Sequence, residues 1–478
     1  MRITNAETLT SHGNRRARKM AVDILEAGLQ AADPCENTKR IIRLEGSRLF
    51  VGSAKSKPSG DPGPDQEVFD LEQIRGIYVF GAGKGVQYAA KALEDICGDL
   101  ISGGHVIDKK GTEIILDRIE VTLGGHPLPD QDCLLGCRRI LELTQKLSKD
   151  DLVFTLAANG ISSLLTLPAA GISLEDVRRL THIMQLQKGA PTADLNAIRN
   201  HVDQLKGGRF SRYLQPAKTV HLLVEHRKNY NDLLYKNLWL HTLPDFTTFA
   251  DALEVVEKWQ VRKLLPPAVI RHLEEGRPEQ ETLKAAEFKK MGARIFSLMP
   301  GRNVLLESAR RAAEKLGLNS LVLAENLQAE ASQAGFVIGE IANTIAEEGG
   351  LIPKPCALFT AGELLTTLGE ETGVGGRNQE YAAAAALKIA GSTKIAVGAV
   401  DSDGTDGPGA ILQDGTRFCL AGGVVDGQTW PRSQKLGVDL KEAIKRHNTS
   451  YALLKLGSGV EATPNISLDD LGVVVILD

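Results

Sequence analysis

Apolar and polar positions change period along the chain, and each period predicts an element. Over residues 14–32 apolar side chains recur at three- and four-residue intervals, which predicts an amphipathic helix that Asp33-Pro34 ends. Residues 53–66, "SAKSKPSGDPGPDQ", are rich in Pro, Gly and Ser and read as an exposed loop. Beyond them short apolar runs alternate with helical spacing: "GIYVF" then "VQYAAKALEDI", "GGHVID" and "RIEVTLG" then "DCLLGCRRILELTQKL", and "DLVFTLA". That rhythm predicts the α/β class, with a doubly wound, Rossmann-like, mostly parallel sheet covered by helices.

A charged helical stretch, "RHLEEGRPEQETLKAAEFKKMG", places a domain boundary near Gly276, and a second α/β region follows from "SARRAAEKLG" to "TKIAVGAVDSDGTDGPG". The expected organisation is a Rossmann-like domain over 1–276 and a second α/β domain over 277–443. The late strand "LGVVVIL" is expected to return to the first sheet, so that 444–478 complete the first domain.

At 478 residues the chain exceeds one ordinary hydrophobic core, in keeping with two domains. Its 42% hydrophobic and 24% charged residues are those of a soluble globular protein, and a net charge of −4 leaves no footprint for nucleic acid or anionic membrane. The six cysteines have no zinc spacing and read as free thiols of a reducing compartment. Without a signal-like or membrane-length apolar run, the expectation is a cytoplasmic protein.

Four constellations carry candidate chemistry. In "IYVFGAGKGVQYAAKALE" a strand meets a helix through a loop with Gly81, Gly83 and Gly85 around Lys84. Glycines let backbone N–H groups approach a phosphate, and Lys84 adds a full charge; a glycine turn packing strand on helix is the alternative. Asp108, about 25 residues on, keeps a dinucleotide site open. In "TLAANGISSLLTLP", Asn159, Ser162 and Ser163 offer donors to a phosphate or hydroxylated substrate, or cap a helix.

In "DLNAIRNHVDQLKGGRFSRYLQP", Arg199, His201, Lys206 and Arg209 crowd a short span. On a helix from Asn196, Arg199 and Lys206 would share a face, suited to a small carboxylate or phosphate, or to solvent. In "AVGAVDSDGTDGPG", Asp401, Asp403 and Asp406 among glycines after a strand suit Mg²⁺ or a metal-free turn. The EF-hand pattern fails, because the twelfth position from Asp401 is Leu412. Together these are parts for phosphoryl transfer, which needs positioning and charge neutralisation more than covalent chemistry.

The motifs "AADP" (31–34), "GAGKG" (81–85), "GGHPLPD" (124–130), "NAIRNHVDQLKGGR" (196–209), "AGELLTTLG" (361–369), "GGRNQE" (375–380) and "SDGTDGP" (402–408) also occur in this order in class II glycerate kinases, whose C-terminal region is called MOFRL. The chain resembles that family over nearly its whole length. The resemblance implies two α/β domains with the active site in the cleft between them, and ATP-dependent phosphorylation of glycerate at its 2-hydroxyl. It implies that Lys84 and Arg377 are catalytic, stabilising the transferring phosphoryl group.

With the motif readings above, Gly81, Gly83, Asn159, Ser162, Ser163, Asn196, Arg199, His201, Lys206, Arg209, Glu363, Gly375, Gly376, Asn378 and Glu380 are the expected ligands of sugar acid or nucleotide, and Asp403 and Asp406 are expected to place the metal or align the hydroxyl. ATP and Mg²⁺ are the expected cofactors, and the assembly is left open, a homodimer among the options. The chain departs from the family in three places: "AANGISSL" replaces a serine- and glycine-rich loop, 224–245 lacks an acidic Gly-Asp pair, and "GAILQDGTRFCL" is inserted before "AGGVVDG". A nicotinamide-dependent hydroxypyruvate reductase and a non-catalytic sugar-acid-binding protein are the rival expectations.

Overall fold

The computed structural model describes residues 1–478 apart from 300, 302, 369–372, 412–416 and 467. After a short helix over Ala6–Thr10, the first long helix is α1, Arg15–Ala31, capped by the Asn14 side chain. Packing divides the chain into two compact units: Pro34–Arg302, and Met1–Asp33 with Asn303–Asp478.

Within Pro34–Arg302 the alternation becomes β1 (Gly76–Ala82), α2 (Val86–Cys97), β2 (Ile101–Lys109), β3 (Glu120–Gly124), α3 (Gln131–Thr144), β4 (Asp151–Ala157), α4 (Thr192–His201), β5 (Lys218–His226) and β6 (Arg294–Met299). The strands pair in the order β3-β2-β1-β4-β5-β6, every pair parallel. This is the doubly wound Rossmann order, as the alternation predicts. Connections leave β1 and β4 toward opposite faces, opening a crevice at the carboxyl ends of those two strands. Every residue of β1 and β4 is buried, as strands covered on both faces require.

The other unit continues with α5 (Val304–Lys315), β7 (Asn319–Leu327), α6 (Ala331–Glu348), β8 (Cys356–Gly362), α7 (Arg377–Lys388), β9 (Ile395–Asp401), β10 (Gly422–Asp426), β11 (Gly459–Val460) and β12 (Asp470–Ile476). Its mixed sheet has the order β7-β8-β12-β9-β10-β11. On one face Leu25 of α1 fits against Gly398; on the other Tyr381 of α7 fits against Gly472.

Three expectations about organisation are corrected here. The last strand does not return to the first sheet: β12 lies between β8 and β9, antiparallel to both, because its uninterrupted apolar run is buried along its whole length in that central position. Gly276 is no boundary but the left-handed end of the helix Pro267–Glu275, whose Val269 and Leu273 are buried; the parallel sheet runs on to Met299. Residues 1–33 belong with the C-terminal unit, since the apolar stripe of α1 packs on its sheet. The insertion "GAILQDGTRFCL" forms a short antiparallel pair, Ala410–Ile411 with Arg417–Phe418, and its residues 412–416 lie outside the described residues.

Candidate functional site

The glycine loop after β1 is built by close packing. A Cβ on Gly83, which has φ of +133°, would lie 2.5 Å from the Ala158 carbonyl oxygen, so only glycine lets the loops after β1 and β4 touch. Lys84 N donates to Asn159 O at 2.7 Å and Ala158 N to Ala82 O at 3.1 Å, stitching the two loops together. Gly83 N is taken by Ile107 O, Gly85 N by the Asp108 carboxylate and Val86 N by Gly83 O.

The expectation that Gly81 and Gly83 present amides to a phosphate is therefore corrected: these glycines serve packing, and the loop offers the Lys84 side chain instead. Asp108 is likewise engaged, accepting from Gly85, Lys109 and Gln87 while burial raises its pKa, and so locks the loop.

Lys84 and His126 lie over Gly160, whose added Cβ would meet both side chains at 3.1 Å. Next to them Ser162 Oγ is 2.8 Å from His241 Nε2 and 3.4 Å from Asn196 Nδ2, and Asn196 Oδ1 accepts from Arg199 at 3.5 Å. Lys84, Asn159, Ser162, Asn196 and Arg199 thus meet at the strand ends. His241 comes from the 224–245 segment and no motif marks it. The same segment buries Asp245, which accepts from Thr247 and Asn200.

Four predicted ligands turn inward. Helix α4 ends at His201, so Lys206 lies beyond it and shares no helix face with Arg199. Lys206 is 1% exposed, with Nζ 2.6 Å from Asp203 and 2.8 Å from Thr166. Arg209 donates to the backbone carbonyls of Asn200, Asp203, Lys206 and Gln280, and His201 sits between Ala197 O and Glu281. Ser163 donates to Gly125 O. These groups hold the turn after α4 and the loop after β4 in place, with their hydrogen bonds directed into the fold.

In the other unit, Arg377 opens helix α7 at a cavity of about 330 Å³ lined also by Glu363, Gly373, Gly375, Gly376, Glu380, Asp401, Asp406 and His447. Arg377 Nε meets both oxygens of Asp470 at 2.8 and 2.9 Å, one terminal nitrogen meets Asp401 at 2.9 Å, and the other lies 3.4 Å from Glu363. Burial works against the guanidinium's charge, but Asp470 and Asp401 outweigh it and raise its pKa. Asp401 in turn is pushed well up by burial, Asp403 and Asp470, against the pull of Arg377.

Helix α7 has glycine, not a capping side chain, at its start. The Asp406 carboxylate supplies the cap from across the loop, accepting from Asn378 N at 3.2 Å and Gln379 N at 2.9 Å. Gly376 must lack a side chain, because a Cβ would lie 2.2 Å from Asp406 O. Burial and Asp470 push the Asp406 pKa up to about 7 against the helix amides. Asn378 bridges Asp406 and Asp470 from a fully buried position, and Glu380 accepts from or donates to His447 Nδ1 at 2.7 Å. Asp403 accepts from Thr405 N and Oγ1. Asp470 and His447 were not legible as site residues: they are 93 and 67 residues from their partners, and no local pattern marks them.

Residues 20–274 match the family described as "Domain of unknown function (DUF4147)" and residues 356–466 the MOFRL family. A glycerate 2-kinase of Pyrococcus horikoshii is 32% identical, covering 92% of this chain and 94% of its own, and a D-glycerate 2-kinase of Thermotoga maritima is 32% identical over 84% and 91%. A crystal structure of glycerate kinase from Thermotoga maritima superposes with a TM-score of 0.72 at 29% identity, covering 96% of this chain and 99% of that one. A protein of Agrobacterium vitis named putative hydroxypyruvate reductase is 30% identical over 85% and 88%. The chain belongs to the glycerate 2-kinase family, with a C-terminal MOFRL region.

Proposed function

We propose that the chain is an ATP-dependent phosphotransferase acting on an alcohol group of a small sugar acid, most directly D-glycerate, with 2-phosphoglycerate as product. The observation that carries this reading is Arg377, whose guanidinium is held at the edge of a glycine-lined cavity by Asp470 and Asp401. An arginine pre-oriented by two buried carboxylates meets developing phosphoryl charge without reorganising at the moment of transfer. Lys84 supplies a second positive group, carried on the loop that Gly83 and Asp108 lock. Ser162, Asn196 and Arg199 serve the acid substrate, while Glu363, Gly375, Gly376 and Glu380 shape the Arg377 cavity.

Magnesium fits as an ion that arrives on nucleotide phosphates. Among the described residues no three metal-ligating side chains gather, and Mg²⁺ characteristically takes only one or two carboxylates beside phosphate oxygens and water. Asp403 would hold it; Asp406 has both oxygens on helix amides and shapes the loop instead. When bound, the ion would neutralise phosphate charge. A cytoplasmic setting suits the buried free thiols Cys97, Cys133, Cys137 and Cys356, and among the described residues no helix is long and apolar enough to cross a membrane.

The test is ADP release by the purified chain with MgATP and a panel of D-glycerate, threonate and erythronate. Product from glycerate that enolase accepts directly would identify 2-phosphoglycerate. Absence of ADP release on every acid, or NADH oxidation with hydroxypyruvate, would overturn the reading.

A further inference from the structure

At the ends of β1 and β4 lies a hydroxyl whose direction its neighbours dictate. Ser162 Oγ has two nitrogens within reach, His241 Nε2 at 2.8 Å and Asn196 Nδ2 at 3.4 Å. The Asn196 amide is oriented by Arg199, which donates to its Oδ1, so its NH₂ faces the serine. His241 is 1% exposed and its Nδ1 has no hydrogen-bond partner among the described residues. A buried N–H without an acceptor is costlier than a bare acceptor, so the ring proton belongs on Nε2, pointing at Ser162. Burial, then Lys206 and Arg199, hold the His241 pKa well below its ordinary value, and the ring is neutral. With both oxygen lone pairs of Ser162 engaged by N–H donors, its own proton is what it has left to give.

Beside it Arg199 is a buried cation that, among the described residues, has no salt-bridge partner. Its hydrogen bonds, at 3.3 to 3.5 Å, all go to the neutral oxygens of Asn196, Thr181 and Gln185, and burial lowers its pKa to about 10. Lys206, by contrast, is matched by Asp203 at 2.6 Å. Buried charges are ordinarily paired, so this guanidinium and the outward-turned hydroxyl ask for an oxyanion. One unmatched charge suits a carboxylate better than a nucleotide's phosphates, which carry several.

We propose that Ser162 and Arg199 form the subsite that receives the substrate's carboxylate, and that His241, with Asn196, is a positioning residue that aims the Ser162 proton into it. The proposal rests on the sugar-acid reading above and adds a residue supplied by the chain's own 224–245 segment.

The experiment compares Ser162→Ala, His241→Leu and His241→Gln, reading KM for D-glycerate, KM for ATP and kcat, with calorimetric binding of D-glycerate, threonate and erythronate in the absence of nucleotide. Ser162→Ala and His241→Leu are expected to weaken the acid about ten- to hundredfold, the range for a hydrogen bond to a charged group, with KM for ATP unchanged. His241→Gln, whose amide N–H can stand where Nε2–H stood, is expected to restore most of that affinity. Acid affinity unchanged in both variants, a loss that falls on ATP instead, or no binding of any acid by the wild-type chain would overturn the subsite. Acid binding that depends on Ser162 in a chain that releases no ADP would support the subsite while sinking the kinase reading.

Discussion

Arg377 Nε lies 2.8 and 2.9 Å from the two carboxylate oxygens of Asp470, a residue 93 positions further along the chain. The fork of the guanidinium is thereby fixed in one orientation, with its remaining nitrogens turned to Asp401 and Glu363. The charge is common to any arginine, but the orientation depends on β12 lying between β8 and β9.

Removing the charge and removing its orientation should therefore separate. Arg377→Ala is expected to lower kcat for ADP release by about a thousandfold, in the range of a lost arginine at a transferring phosphoryl group. Asp470→Asn, which keeps shape but not charge, is expected to cost about tenfold to a hundredfold in kcat with a folded chain by circular dichroism. Lys at 377 cannot reproduce the fork and should resemble Ala more than Arg.

Lys206 is expected to support the fold through Asp203 rather than to bind substrate. Lys206→Met leaves Asp203 buried without its partner and is expected to destabilise the chain by about 3–5 kcal/mol in urea unfolding, the cost of breaking a buried ion pair from one side. KM for D-glycerate in the surviving folded protein should be unchanged; a selective rise in KM would restore Lys206 to the substrate site.

Gly83→Ala tests the loop packing. The new methyl would meet the Ala158 carbonyl at 2.5 Å from a backbone with φ of +133°, and the expected loss is about 2–3 kcal/mol, read as a lower urea midpoint. Gly350, with φ of +121° and nothing within 4 Å of an added Cβ, is the control for positive φ without a clash.

Acid should destabilise the chain through His221. Its Nδ1 shares a hydrogen bond with Thr155 Oγ1, Nε2 has no partner, and burial lowers its pKa from 6.5 to about 3. Between those values the unfolded chain holds a proton that the folded chain refuses, so stability falls as pH drops, by about 1.4 kcal/mol per pH unit for this group. His221→Asn, which keeps a partner for Thr155 and does not ionise, should flatten melting temperature against pH between about pH 7 and about pH 4.

What sequence alone determined was whatever rests on short range. The period of apolar residues specified the early strands and helices and the mostly parallel character of the first sheet, because burying both faces of a strand demands an unbroken apolar run. The glycine loop and the "GGRNQE" helix start were equally legible, since each is a contiguous backbone requirement. Tertiary structure alone decided partnership. Lys84, Lys206, Arg209 and Arg377 are all cations beside glycines, yet Asp203 and a ring of carbonyls consume Lys206 and Arg209, while Asp470 and Asp401 orient Arg377. The placement of α1 and β12 in the second unit belongs to the same class: an apolar stripe states that a face must be buried, and only the assembled chain states against what.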